Sequence, residues 1–542
     1  SLVEGGPNVS ILDRPDVQSG AAEFKPVPFG NDLSAQLGDQ FAAPLVGNFD
    51  PPVAGGTKIL RLEGTSRDDV FEFVGGPKSS SWIVKLNGVT TAVADGFTAV
   101  EFVGLGGNDT VRLTGTEGND YVELWSDHGT FSGTGYRVTV AGVETITVDG
   151  RTGSDTALLH DSAGDDRLVA SPTKASLTSP GSARTVSGFE TVTVEATAGG
   201  ADVASLTDSA GDDTFEASPD LAKLFGEGFS LELRAFDSVS AYVSTGNDVA
   251  RLYDSLGDDA FFANKKEATL RGKRFLLRAQ RFDSVYGYST AGGNDVARLE
   301  GTTADDTFVA TPTLAELHGA GLLLSASQFE TVTAIGGGGT NVAYLHDSAG
   351  NDVFAAKPRE TSLSGQGFQN TVVGFGKVYG YADMGGVDVA SLYDAASDDS
   401  FTSDPAVSTL QGKGFFLQAE MFDYVHGFAT GGHDVATLHG SSGNDTLIAE
   451  RGETKLSGAS FNSRAKAFDE VYAYGGEGTA DKSDVRDTEI QTVTAAQAAP
   501  LASFEQILWA YDFESVRAKK KSAQAAAIAL STVDEVFRAN WD

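Results

Sequence analysis

Residues 202–217 read DVASLTDSAGDDTFEA, and residues 248–263 read DVARLYDSLGDDAFFA. The pattern returns at residues 295–310 as DVARLEGTTADDTFVA and at residues 434–449 as DVATLHGSSGNDTLIA. A short segment that recurs every 46 or 47 residues cannot bury its apolar face alone, so copies stack on one another. Nine such copies cover residues 57 to about 480 and predict a solenoid.

Two spacings inside the repeat are constant. The leading polar residue lies 11 residues before the second member of an Asp-Asp or Asn-Asp pair, as Asp202 does before Asp213. It lies 34 residues before a later aromatic residue or valine, such as Phe236. Only the glycine-rich segment before the next copy varies, by one residue. Constant spacings indicate residues held in register, and the variable segment indicates a surface loop.

Each copy divides into two similar halves, since Asp213-Thr-Phe215 matches Asp237-Ser-Val239. A carboxylate returns every 22 to 24 residues, so we expect each half to form one turn with its acid at the same corner. Short alternating runs separated by Gly, Asn, Asp and Ser predict strands of three to six residues. The expected fold is an all-β, long single-stranded parallel β-helix (β-solenoid) of about 18–20 turns of 22–24 residues. We expect right-handed winding, the usual sense of parallel crossovers.

The two ends differ from the repeats. Residues 1–56 contain 7 of the 15 prolines, which predicts an extended arm because proline lacks the amide donor of a ladder strand. Residues 57–515 form the solenoid of 46/47-residue double-turn repeats, and its last turns degenerate from about residue 476. Residues 516–542 are expected to form a C-terminal cap with a helix from Ala523 to Phe537. We expect the arm to dock on a neighbouring molecule and support self-association.

The composition excludes several classes of partner. The 542-residue chain carries 75 acidic against 39 basic residues, a formal net charge of −36. Such a surface repels nucleic acid and anionic lipid and attracts divalent cations. The absence of cysteine excludes disulfides and thiolate-bound zinc. The chain has no run of about 20 apolar residues, so we expect no transmembrane segment.

The repeated acids have two candidate roles. Carboxylates stacked about 4.8 Å apart repel one another, so something must compensate their charge. They could accept hydrogen bonds from backbone N–H groups and so form turns. They could equally bind calcium, which takes six to eight oxygen ligands. The candidate metal ligands are Asp109, Asp120, Asp155, Asp166, Asp202, Asp213, Asp237, Asp248, Asp259, Asp283, Asp295, Asp306, Asp352, Asp388, Asp399, Asp434 and Asp445.

Two family resemblances accompany these motifs. Residues 106–111, GGNDTV, and Gly118-Asn119-Asp120 resemble the GGxGxDxφx repeats of hemolysin-type (RTX) calcium-binding proteins. Residues 189–194, FETVTV, look like strands of secreted bacterial parallel β-helix repeat proteins and adhesins. The resemblance implies glycine-rich, Asp-bearing turns that suit calcium in an exported bacterial protein.

No catalytic motif occurs in the chain. The seven histidines form no metal spacing, and there is no nucleophile elbow, nucleotide loop or zinc helix. One basic group is not repeated and could contact an acidic partner such as a surface polysaccharide. Its members are Lys265, Lys266, Arg271, Lys273, Arg274, Arg278 and Arg281. This group resembles the basic residues that β-helix polysaccharide lyases use beside calcium.

We therefore expect a non-enzymatic structural or adhesive β-solenoid, secreted or at a bacterial cell surface, calcium-stabilised and assembling through its ends. The alternative is a calcium-dependent polysaccharide lyase or another enzyme acting on acidic glycans. A third interpretation is a calcium-triggered folding module of a secreted protein.

Overall fold

The structure is a computed structural model that describes residues 58–450, 452–486, 491–492, 505–513, 515–518 and 535–540. It is an all-β solenoid of about 12 turns with about 36 residues per turn. The strands are β1 Lys58–Glu63, β2 Val70–Val74, β3 Ile83–Leu86, β4 Val89–Thr91, β5 Phe97–Val103, β6 Thr110–Thr114, β7 Tyr121–Leu124, β8 His128–Gly133, β9 Tyr136–Ala141, β10 Thr145–Asp149, β11 Thr156–His160, β12 Arg167–Ser171, β13 Lys174–Ser179, β14 Ser182–Ser187, β15 Thr191–Glu195, β16 Val203–Thr207, β17 Thr214–Ala217, β18 Leu221–Gly226, β19 Phe229–Arg234, β20 Ser238–Tyr242, β21 Val249–Tyr253, β22 Ala260–Ala263, β23 Glu267–Arg271, β24 Leu276–Gln280, β25 Ser284–Tyr288, β26 Val296–Glu300, β27 Thr307–Ala310, β28 Leu314–Gly319, β29 Leu322–Ser327, β30 Thr331–Ile335, β31 Val342–His346, β32 Val353–Ala356, β33 Glu360–Gly365, β34 Phe368–Val373, β35 Lys377–Tyr381, β36 Val389–Tyr393, β37 Ser400–Ser403, β38 Val407–Gly412, β39 Phe415–Glu420, β40 Tyr424–Phe428, β41 Val435–His439, β42 Thr446–Glu450, β43 Glu453–Ser457, β44 Asn462–Lys466, β45 Glu470–Tyr474, β46 Lys482–Arg486, β47 Gln491–Thr492, β48 Glu505–Tyr511, β49 Ser515–Ala518 and β50 Glu535–Asn540. A 3-10 turn covers Ser79–Ser81.

The strands form two facing sheets, and each repeat supplies five strands to them. In the copy that begins at Asp202, β16 lies in one sheet, β17, β18 and β19 form an antiparallel meander in the other, and β20 returns to the first. In the next copy the sheets exchange roles, because the β22–β24 meander pairs with β20. Strands of successive turns pair in parallel, as β17 does with β21 and β21 with β25. Equivalent residues of consecutive copies therefore lie in opposite sheets.

The predicted solenoid of stacked short strands is confirmed, but the predicted turn length is wrong. Parallel partners such as Phe215 and Ala250 lie 35 residues apart, not 22 to 24. The two halves of a copy are not successive turns, because β17 and β20 lie in opposite sheets. The 18 to 20 predicted turns accordingly become about 12. The three-stranded meander explains the difference, since it adds strands to a turn without advancing the chain to the next turn.

The core lies between the two sheets. Strands show alternating burial, so Phe215 and Ala217 point inward while Thr214 and Glu216 are only partly covered. In the five meanders that begin at β17, β22, β27, β32 and β37, a phenylalanine of the first strand is completely or almost completely buried, and it packs against a phenylalanine of the following copy. Phe261 contacts Phe329 with ring centroids 5.7 Å apart. The apolar core therefore runs continuously from copy to copy.

The structure tests little of the predicted end segments. Residues 1–56, the predicted arm, lie outside the described residues. Most of the predicted helix Ala523–Phe537 also lies outside them, and its last three residues belong to strand β50. In the part of the chain that the structure describes, no α-helix is present.

Candidate metal centres

The repeated acids form ladders along each sheet. The backbone N–H of Asp213 donates to Oδ1 of Asp248 at 2.9 Å, and the N–H of Asp248 donates to Oδ2 of Asp283 at 3.1 Å. A complete ladder thus joins the second acid of a pair, the leading acid of the next copy and a later acid, whereas two sets have only the first two members. The sets joined in this way are Asp69, Asp109 and Glu144; Asp120, Asp155 and Glu190; Asp166, Asp202 and Asp237; Asp213, Asp248 and Asp283; Asp259, Asp295 and Glu330; Asp306 and Asn341; Asp352, Asp388 and Asp423; Asp399, Asp434 and Asp469; and Asp445 and Asp481.

These ladders correct the expected placement of the acids. A single acidic edge would bring Asp213, Asp237 and Asp259 together. Instead Asp213 precedes β17 in one sheet, whereas Asp237 and Asp259 precede β20 and β22 in the other. The first acid of a ladder accepts a backbone N–H from its own loop, as Asp213 does from Ser209, and the later acids accept one from the preceding turn, as Asp248 does from Asp213. The expected backbone role therefore exists both within and across turns.

The two acids of each Asp-Asp pair have different roles. Asp212 is exposed, and its Oδ1 accepts the N–H of Asn247 at 2.8 Å. Asp213 is 1% exposed, and its Oδ2 accepts the backbone N–H and the hydroxyl of Ser209 at 3.1 and 2.8 Å. The first acid therefore ties neighbouring turns together at the surface, and the second lies beside the core.

A further acid joins the ladders at five positions, six residues after the leading residue of a copy. At four of these positions it brings three carboxylates together, with one oxygen of each within 4.8 Å of the other two. These triads are Asp161, Asp166 and Asp202; Asp208, Asp213 and Asp248; Asp347, Asp352 and Asp388; and Asp394, Asp399 and Asp434. The sequence prediction missed the acids at this added position, although their recurrence in five copies was a usable signal. Those acids are Asp161, Asp208, Asp254, Asp347 and Asp394.

Three triads retain a buried oxygen without a hydrogen-bond partner in the protein, and one of these oxygens, Oδ1 of Asp166, lies 3.9 Å from the cationic Nη2 of Arg184. The other two are Oδ1 of Asp213 and Oδ1 of Asp352, and these two residues are 1% and 0% exposed. An unpartnered buried carboxylate oxygen is unfavourable, so each of these two sites lacks a donor or a cation. We call the triads of Asp208, Asp213 and Asp248 and of Asp347, Asp352 and Asp388 the open triads.

The triad of Asp394, Asp399 and Asp434 is more fully compensated. The hydroxyls of Ser397 and Thr430 donate to Asp399 and Asp394 at 3.2 and 2.7 Å. The bond from Ser397 reaches Oδ1 of Asp399, so it supplies the donor that Oδ1 of Asp213 and Oδ1 of Asp352 lack. In the copy that carries Asp254, the hydroxyl of Ser289 donates to Oδ2 of Asp295 at 2.5 Å, but Oδ1 of Asp259 has no hydrogen-bond partner.

The titration of the acids reflects this crowding. Burial raises the pKa of Asp248 to about 6, and neighbouring carboxylates such as Asp208 and Asp213 add to the effect. Burial likewise raises the pKa of Asp347 to about 6 and the pKa of Asp434 above its ordinary value. Burial also raises the pKa values of Asp155 and Asp202 to about 6. Negative charge in these sites is therefore destabilised near neutral pH unless a cation neutralises it.

The open triads match the preferences of a hard divalent cation. Their ligand atoms are all oxygens, which suit Ca²⁺, Mg²⁺ and Mn²⁺. Ca²⁺ binds oxygen at about 2.3–2.6 Å, so its ligands can lie at most about 5 Å apart, consistent with the separation of the triad oxygens. Mg²⁺ retains several waters and is a poorer match to ligands as buried as Asp213 and Asp248.

The residues of the predicted basic group lie mainly at the two opposite ends of the meander β22–β24. Lys265, Lys266 and Arg281 lie at one end, where the N–H of Arg281 donates to the carbonyl of Lys266. Arg271, Lys273 and Arg274 lie at the other end, about 13 Å away along the strands. Arg278 lies between the two ends, with its Nε 3.8 Å from a carboxylate oxygen of Glu267. A role in binding acidic partners stays a prediction.

Comparison with known proteins gives no family. No family model matches the chain, and no curated protein matches it. The described residues contain no helix long and apolar enough to cross a membrane.

Proposed function

We propose that this protein is a structural β-solenoid whose turns are held together by bound divalent cations, with calcium as the matching ion. The observation that carries the proposal is the open triad, which occurs in equivalent form around Asp213 and around Asp352. An enzyme needs one active site, whereas a stiff scaffold benefits from the same stabilising site at several levels.

The ladders explain how a cation would stiffen the rod. Asp213 belongs to one turn and Asp248 to the next, and the backbone N–H of the first already donates to the second. A cation shared by both carboxylates adds an ionic link across the same junction, and it offsets the burial and the mutual repulsion that raise their pKa values. Asp352 and Asp388 are related in the same way.

A location outside the cell, in a surface layer or an extracellular filament, is part of the proposal and would supply calcium at millimolar concentration. Residues 1–56 remain the predicted attachment segment for self-association. Right-handed winding remains our expectation from the usual sense of parallel crossovers.

Thermal unfolding in calcium and after removal of metal tests the proposal. We expect the wild-type protein to unfold at a higher temperature in calcium. The double variant Asp213→Asn and Asp352→Asn should lose most of this shift. Its matched control replaces two exposed acids, Asp212 beside Asp213 and Asp398 beside Asp399, by Asn and should retain the shift. A melting temperature independent of calcium in the wild-type protein would refute the proposal.

A further inference from the structure

The triad of Asp161, Asp166 and Asp202 differs from the open triads in one respect. A buried arginine, Arg184 on β14, lies beside it, with Nη2 3.9 Å from Oδ1 of Asp166. Both side chains are almost fully buried, at 1% and 0% exposure. The charge interactions of Arg184 are with Asp166 and Asp161, two of the three acids of this triad.

Arg184 occupies a core position that is apolar in most other copies. Residues 18 positions after the second acid of the pair are Leu231, Leu277, Leu324 and Leu417 elsewhere. A guanidinium at this position is desolvated, and it persists only when carboxylates and acceptors surround it. Nη1 donates to the carbonyl of His160 at 2.6 Å, and Nη2 donates to the hydroxyl of Ser179. The protein therefore holds a permanent positive charge beside this triad.

We propose that Arg184 takes the place of a metal ion at the triad of Asp161, Asp166 and Asp202, so that this triad binds no divalent cation while the open triads do. The inference rests on the proposed function, because it treats the open triads as cation sites. Arginine keeps its charge at any physiological pH and needs no external ion. This level of the solenoid is thus stabilised even where calcium is scarce.

The test is a calcium titration by calorimetry of the full chain, first stripped of metal on a chelating resin. Arg184→Leu introduces the residue that other copies carry and should create one additional calcium site relative to the wild-type protein. Asp161→Asn in the wild-type background should leave the number of bound ions unchanged. Added to Arg184→Leu, it should abolish the extra site. Arg112→Leu, which removes an exposed arginine from β6, is the matched control and should not change the number.

The outcomes separate the two proposals. A wild-type protein that binds no calcium refutes the proposed function. Wild-type binding with no added ion in Arg184→Leu refutes only the role of Arg184. If Arg184→Leu does not fold, the Asp161→Asn variant decides: loss of one ion shows that the wild-type triad binds metal and overturns the inference, whereas an unchanged number supports it.

Discussion

At the scale of single residues, the close contact between an acid and a glycine explains part of the repeat. In the copy that begins at Asp202, the meander strand β18 ends in Gly226. A Cβ at this glycine would lie 1.8 Å from Oδ1 of Asp213 and 2.8 Å from the ring of Phe229. The same conflict occurs at Gly365 with Oδ1 of Asp352. Glycine is required there because the buried acid occupies the space of a side chain.

Replacing Gly226 by Ala should therefore destabilise the protein by about 1–3 kcal/mol through overpacking. The carboxylate of Asp213 cannot move freely, because Ser209 donates two hydrogen bonds to it. The shift of the chemical denaturation midpoint measures the effect. Gly211→Ala is the control, since its Cβ would lie 3.6 Å from the nearest atom. Equal midpoints for the two variants would contradict the packing described for Asp213.

The raised pKa values predict how stability depends on pH. Asp248 and Asp347 titrate near 6 in the folded protein, against an ordinary value of 3.8. Their protonated forms therefore favour folding, and this contribution is complete below pH 3.8 and is lost as the pH rises through 6. Each such carboxylate changes the free energy of unfolding by roughly 3 kcal/mol at most.

The metal-free protein should therefore melt at a lower temperature at about pH 7.5 than at about pH 5. Excess calcium at the higher pH should remove most of this difference, because the cation neutralises the same carboxylates. Differential scanning calorimetry of protein stripped of metal measures both. If the metal-free protein instead melts at a higher temperature at the higher pH, the buried acids do not control how its stability depends on pH.

At the scale of the elements, the sequence predicted the strands well but not their arrangement into turns. Alternation in segments such as residues 214–217 identifies which side chains point inward, and burial confirms it. Alternation does not say which sheet a strand joins. The likeness of Asp213-Thr-Phe215 to Asp237-Ser-Val239 suggested two turns, although the segments lie in opposite sheets. The meander β17–β19 depends on antiparallel pairing between neighbouring strands, which the repeat spacing does not encode.

The candidate sites were predictable to a similar degree. The acids of the ladders were identified from their spacing, but the triads need Asp208 and Asp347, which lie beside the ladders only because the turn has about 36 residues. Arg184 could not be identified as a partner of Asp166 without the fold, because the two residues lie 18 positions apart in the sequence and the meander brings them together.

The meander phenylalanines provide a test at this scale. Phe261 is 1% exposed and faces the core, while the adjacent Phe262 faces outward on the same strand. Phe261→Ala should destabilise the protein by about 3–5 kcal/mol because it leaves a cavity between copies. Phe262→Ala should cost less than about 1 kcal/mol. The chemical denaturation midpoints of the two variants measure these losses of stability. A larger loss in Phe262→Ala than in Phe261→Ala would contradict the assignment of Phe261 to the core.

At the scale of the whole molecule, the fold predicts a rod. One sheet contains 25 strands, and strands stack about 4.8 Å apart, which gives a length on the order of 115 Å. Small-angle X-ray scattering should give a radius of gyration of about 35 Å or more, the value for a rod of that length. A compact globule of 542 residues would have a radius of gyration of about 24 Å, and that result would exclude the extended stack of strands.

The central claim is that calcium links neighbouring turns at the open triads. Anomalous diffraction from crystals grown in calcium would locate the ions directly. We predict one peak among Asp208, Asp213 and Asp248, another among Asp347, Asp352 and Asp388, and no peak beside Arg184. Density only at exposed acids, with both open triads empty under saturating calcium, would contradict the claim.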